Sequence, residues 1–287
     1  MQIRLQGLSQ RAEELAMFDR PGTWLARQVS RVVKRGPAKD LLSGTWLGHP
    51  LHPLLTDFPI GAWTSSLVLD LFGGQHARRA AQMLVGVGLV GAVPTAAAGL
   101  TDFSDTFGVE RRVSTVHATF NTVALGLYVA SWLARRRGRY SAGARLGLGG
   151  ALAVAGGAFL GGHLAYGKGL GVDRTAFDEE PSEWTPVVDV AQLAEGQPTL
   201  AQVGTVPLVL LRQDGRVHAL ANTCTHRGGP LHEGELESGT IICPWHRSAF
   251  RMEDGEVVRG PATARQPSYA TRVVDGTVEV RLRERSA

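Results

Sequence analysis

The chain has 287 residues, 30 Lys and Arg against 26 Asp and Glu, and two cysteines. Its net charge is +4 and its pI is near 9.4. The length suggests two domains, the two cysteines exclude a disulfide framework, and the basic excess comes with no nucleic-acid motif, which argues against such a partner.

Residues 1–47 read as a basic arm. No early apolar run follows the first residues, so no secretory signal is predicted. Gln10 to Phe18 and Thr23 to Val33 fit amphipathic helices whose arginines suit an anionic lipid surface or a solvated face.

Residues 48–167 hold four apolar stretches. Ala80 to Leu100 and Leu146 to Tyr166 contain no charged residue, and each is 21 residues long. At about 1.5 Å per residue such a helix crosses a hydrocarbon core of about 30 Å. Pro53 to Leu71 carries Asp57 and Asp70, and Ser114 to Leu133 carries His117 and Asn121. A soluble domain with buried helices is the alternative. Four similar stretches with arginine-rich turns favour a four-helix transmembrane bundle in contact with membrane lipid. Gly157 and Gly161, with glycines around them, suit close helix packing.

Four crossings put both ends of the chain on one side. His52, His117 and His163 then fall near that same face and form a candidate second site. Histidines on facing helices can hold haem or another metal, or line a quinone site; the alternative is a packing role, each imidazole bonded to a helix carbonyl. Pro50 and Pro53 prevent a regular helix through His49 and His52, and Pro53 is placed to open the first helix.

Residues 168–184 read as a linker, Gly-rich and then acidic. Residues 185–287 change to short alternating strands, with candidates at 187–190, 208–211, 217–220, 256–258, 270–273 and 278–282. Asp214-Gly215 and Asp275-Gly276 are hairpin signals. The fold class is therefore multidomain: an all-α four-helix transmembrane bundle followed by an all-β antiparallel module.

That module contains Cys224-Thr-His226, sixteen residues, then Cys243-Pro-Trp-His246. Two thiolates and two imidazoles can hold a 2Fe–2S cluster, one iron taking both cysteines and the other both histidines. A zinc site usually pairs like with like within each half, and a Cys224–Cys243 disulfide leaves the histidines unexplained. The metal ligands are therefore read as Cys224, His226, Cys243 and His246.

The flanks Arg227-Gly-Gly-Pro-Leu231 and Arg247-Ser-Ala-Phe250 make residues 184–283 resemble the Rieske ferredoxin family, with Gly255 to Pro261 similar to its proline-containing third loop. The resemblance implies a cluster potential within about −150 to +300 mV. A low position in that window is expected. The cysteines of the family's cytochrome bc members that form a disulfide are missing, and Phe250 stands where those have tyrosine. Ser248 remains as a cofactor-binding hydroxyl. Arg247 stands where the family usually has glycine, and the ligand imidazoles are expected to reach the surface. Gly48-His-Pro-Leu-His-Pro53 resembles the opening of an uncharacterised bacterial four-helix membrane-domain family, over residues 40–170.

These readings imply a membrane-bound electron-transfer protein whose partner is a redox protein or a quinone. The alternatives are an oxidoreductase with a quinone or haem site in the membrane domain, and a membrane-anchored redox sensor. The flanking charges nearly balance, and the lack of a disulfide pair fits a reducing compartment. The expectation is an integral protein of the cell membrane with a cytoplasmic Rieske domain.

Overall fold

The computed structural model describes residues 6–179 and 181–283. The chain divides into two compact units: residues up to Lys34 with Leu51–Leu170, and Arg35–Pro50 with residues from Gly171 on. The basic arm is therefore split at Lys34, its last part belonging with the β module.

The first unit is helical. Two short helices, α1 (Gln6–Glu14) and α2 (Asp19–Val32), precede four long ones. These are α4 (Leu51–Phe72), α5 (Arg78–Ser104), α6 (Gly108–Arg136) and α7 (Tyr140–Gly162); α3 (Pro37–Ser43) belongs to the other unit. Pro53 sits in the first turn of α4, where its missing N–H costs nothing. The helices of α4–α7 pack through small residues against large ones. Trp63 stacks on Tyr128 at 4.0 Å between ring centroids, and Gly88 and Gly150 make room for these two rings. Trp63 Nε1 donates to the Val85 carbonyl at 3.3 Å, and Ser66 Oγ to that of Ala81 at 3.0 Å. Arg135, buried, donates to both carboxylate oxygens of Asp70 and to Ser131 Oγ, so the intrahelical charge on α4 is neutralised by one on α6.

Outside this packing, the long helices expose large apolar side chains, including Leu54, Phe58, Met83, Val90, Val93, Val123, Val129 and Leu152. Among the described residues, two helices are long and apolar enough to cross a membrane, Arg78–Ser104 and Tyr140–Gly167. α4 and α6 span 22 and 29 residues but carry more polar side chains. α1 and α2 lie against this unit: Arg112 of α6 grips the Asp19 carboxylate with two bonds of 2.7 Å.

The second unit is antiparallel β. A six-stranded sheet has the order β1 (Thr185–Asp189), β10 (Thr277–Leu282), β9 (Ser268–Val274), β4 (Arg216–Ala221), β3 (Val206–Gln213), β2 (Thr199–Val203). A four-stranded sheet runs β5 (Glu235–Glu237), β6 (Thr240–Ile242), β7 (Ala249–Arg251), β8 (Val257–Arg259). Asp214-Gly215 and Asp275-Gly276 both take left-handed φ, as tight two-residue hairpins require. β3 is buried on both faces. Leu208 and Leu210 enter one core with Tyr269 and Val280, while Val209 and Leu211 enter a second with Ile241 and Phe250. The second core also contains Cys224 and Cys243.

Candidate metal centre

Three loops, β4 to β5, β6 to β7 and β8 to β9, are tied together by hydrogen bonds from Thr225 to Gln266 and Ala264 and from Ala262 to Ser248. The first two repeat one hydrogen-bond plan. Cys224 N–H donates to the Gly229 carbonyl at 2.9 Å, and the Cys224 carbonyl accepts from Gly228 at 2.8 Å. Cys243 N–H donates to the Ser248 carbonyl at 2.8 Å, and its carbonyl accepts from Arg247 at 3.0 Å. The fifth residue of each loop, Gly228 or Arg247, has φ of +79° or +67°. Glycine takes that conformation freely, whereas arginine is strained there. An ion pair from Arg247 to Glu235 at 2.5 Å tethers the strained side chain and holds the Glu235 carboxyl below its usual range. The Arg247 charge is thus engaged within the domain.

The same plan aims backbone N–H groups at sulfur. His226 and Arg227 donate to the Cys224 thiol, Trp245 and His246 to that of Cys243. The two thiols also hydrogen-bond each other. That bond, then burial, pushes Cys224 well up, while the bond from Cys224 holds Cys243 down at about 7. The His226 and His246 rings meet edge to face, centroids 4.9 Å apart. His226 Nδ1 is buried and has no hydrogen-bond partner. Sulfur is thus paired with sulfur and imidazole with imidazole, around a buried nitrogen without a donor or acceptor opposite it. That donor set fits a 2Fe–2S cluster with one iron on the thiolates and one on the imidazoles.

The chain belongs to the Rieske 2Fe–2S family. Residues 183–270 match that domain, and residues 48–174 match a family described as a predicted membrane protein, DUF2231. The anthranilate 1,2-dioxygenase ferredoxin subunit of Burkholderia cepacia is 30% identical over 101 residues, 35% of this chain and 94% of that protein. The ferredoxin component of the alkene monooxygenase system of Xanthobacter autotrophicus is 31% identical over 102 residues, covering 35% and 83%. The solved carbazole 1,9a-dioxygenase ferredoxin of Nocardioides aromaticivorans has 26% identity and a TM-score of 0.33, covering 35% of this chain and 98% of that one. The Rieske domain carries a 2Fe–2S cluster as its cofactor.

Around this Rieske centre the structure adds residues that the motif does not contain. Gln266, buried in the third loop, donates from Nε2 to the carbonyls of Ala221 at 2.7 Å and Thr223 at 2.6 Å. Its Oε1 accepts from Thr225 N–H at 3.1 Å. One amide therefore pins the loop carrying Cys224 and His226. Asn222 accepts from the His232 N–H at 2.8 Å. Ser248 Oγ accepts from Ala262 N–H at 2.9 Å and so ties the second loop to the third. Gly229 lets the loops close: a Cβ there would stand 2.7 Å from Cys243 Sγ and 3.1 Å from Trp245 Cγ. A glutamine with no motif around it gives no sequence signal, and the third-loop resemblance alone pointed to this stretch.

The imidazoles of His226 and His246 do not both reach the surface. His246 is only 7% exposed and His226 is partly buried, whereas Trp245 is half-exposed. Chain from the linker packs at this end: Arg174 N–H donates to the Thr225 carbonyl at 3.1 Å. Burial holds His226 well below the ordinary histidine range, and the charges of His246, Lys39 and Arg174 push it further down.

In the helical unit, His52 and His117 come together and His163 does not. The His52 and His117 rings lie 6.4 Å apart, edge to face. Their Nδ1 atoms bond the carbonyls of Thr95 at 2.9 Å and Gly157 at 2.7 Å, and Asn121 Nδ2 reaches His117 Nε2 at 2.9 Å. α7 ends at Gly162, one residue before His163, and the chain continues as a wider turn through Gly167. His163 Nε2 meets Glu13 at 2.8 Å, a carboxylate it shares with Lys168 at 2.7 Å. Among the described residues of the helical unit, no group of three or more His, Cys, Asp or Glu is placed to hold a metal ion.

Proposed function

We propose that this protein is a membrane-bound one-electron carrier whose cluster is held by Cys224, His226, Cys243 and His246. The observation that carries the reading is the paired arrangement of the two thiols and two imidazoles on loops of one hydrogen-bond plan. When bound, the cluster supplies one-electron oxidation and reduction at a metal centre. The chain's own part is to hold it dry and to stabilise added negative charge. The N–H groups of His226, Arg227, Trp245 and His246 point at the sulfurs, and such donors favour the reduced state. The Ser248 hydroxyl accepts from the Ala262 N–H, so its own proton would be available to a cluster sulfur when the group is bound.

The helical unit is read as four transmembrane helices, α4–α7, in the cell membrane, with the Rieske domain on the cytoplasmic side. The apolar side chains exposed along these helices support this, since a soluble surface rarely presents so many together. His52 and His117 are read as packing residues, because a helix carbonyl accepts a bond from each. A redox protein is the preferred partner. The ferredoxin relatives are named as parts of a dioxygenase and an alkene monooxygenase system, and an oxygenase-type partner is the corresponding proposal here.

The test is iron, acid-labile sulfide and the reduced EPR spectrum of detergent-extracted protein. Each of the four ligand-to-Ala variants should lose the reducible signal. Full iron and sulfide content in Cys243→Ala would overturn the ligand set. An additional haem absorbance band would overturn the packing role of His52 and His117.

A further inference from the structure

The helix α3 and its flanks lie far ahead of the cluster loops in sequence, yet they belong to the Rieske unit. Gly36, at φ +126°, turns the chain into Pro37, and Gly44, at φ +85°, ends the helix in a left-handed cap. Between them, Asp40 Oδ1 accepts from the Gly260 N–H at 3.0 Å, in the third loop. Thr45 and Asp40 lie so close to Gly260 that no Cβ fits there. Lys39, the residue before Asp40, is only 8% exposed. A short helix that buries a lysine and, through the next residue, clamps one of the three loops does more than connect two domains.

We propose that residues 36–45 form a fourth wall of the cluster site, in which Asp40 positions the third loop and Lys39 supplies a buried positive charge that raises the reduction potential. The inference rests on the proposed ligand set. Reduction adds one negative charge to the cluster. A nearby cation stabilises the reduced state more than the oxidised one, and a nearby carboxylate does the reverse, the more so where water is excluded. Lys39 and Asp40, adjacent in the chain, therefore pull the potential in opposite directions. Through Asp40 the segment also holds the loop that Gln266 and Ala262 use to brace the other two.

The experiment is a redox titration of full-length protein, followed by EPR, with iron and sulfide counted in each variant. Lys39→Met should lower the midpoint, Lys39→Arg should leave it near wild type, and Asp40→Asn, which keeps an acceptor for Gly260, should raise it. Asp40→Ala, which removes the acceptor, should lose iron to a chelator about tenfold faster than wild type. If Lys39→Met does not accumulate, Lys39→Gln carries the same expectation. A cluster-replete Lys39→Met with an unchanged midpoint overturns the inference. So do shifts of the same sign in Lys39→Met and Asp40→Asn, which would mark general loosening. Wild-type protein with no reducible cluster would instead overturn the ligand assignment, and this inference with it.

Discussion

Replacing Gln266 with Leu keeps its bulk and removes three hydrogen bonds. The Ala221 and Thr223 carbonyls lose a donor and the Thr225 N–H loses its acceptor, all in or beside the loop that bears Cys224 and His226. A buried group left without its partner costs about 1–3 kcal/mol. Two of the three are carbonyls, which retain a second lone pair, so they count near the low end. The sum is about 3–5 kcal/mol, a large part of the roughly 5–15 kcal/mol that stabilises a domain. With a denaturant slope of about 2 kcal/mol per molar urea, the midpoint should fall by about 2 M. The assay is loss of visible circular dichroism from the cluster in detergent-solubilised full-length protein, at a fixed incubation time. Gln266→Glu keeps an acceptor for Thr225 and should fall between wild type and Leu. A Leu variant whose midpoint moves by less than about 0.5 M would refute the assignment of Gln266 as the brace of the first loop.

Arg247→Gly should stabilise the second loop, because the left-handed conformation costs arginine about 1 kcal/mol that glycine does not incur, and the exposed bridge to Glu235 returns little; a lowered urea midpoint would contradict this. Gly229→Ala should abolish cluster binding, since the added methyl meets Cys243 Sγ; normal iron content would show that the loops can part to admit it. The Glu13 carboxyl is held below its ordinary value of 4.5, first by the hydrogen bond from Lys168 and then by that from His163. A depressed carboxylate contributes stability that is present above its unfolded value and lost as pH falls through its folded one. Glu13→Gln should therefore lower the thermal midpoint at about pH 7, by a deficit that shrinks as the pH falls below the ordinary value of 4.5. A deficit that persists undiminished at the lower pH would rule out the charge as its source.

The cluster motif was legible because ligand chemistry is local. A thiolate and an imidazole two or three residues apart form one loop tip, and two such tips in one chain leave few other readings. The apolar stretches were legible for a similar reason, since length and hydropathy are summed along the chain. The hairpin turns at Asp214-Gly215 and Asp275-Gly276 could be read too, as their φ values demand those residue types. The short strands β5, β6 and β7, of three residues each, left no periodicity long enough to detect. The partners of the motif were beyond sequence reading altogether. Gln266 and Asp40 are ordinary polar residues until folding puts them against loops tens to hundreds of positions away. The same holds for the histidines of the helical unit. Sequence placed His52, His117 and His163 near one face, but helix rotation decided that the first two meet and that the wider turn after Gly162 carries the third to Glu13. Local chemistry names which cofactor a chain can hold, whereas the groups that brace it are brought together only by long-range packing, which leaves no spacing rule behind.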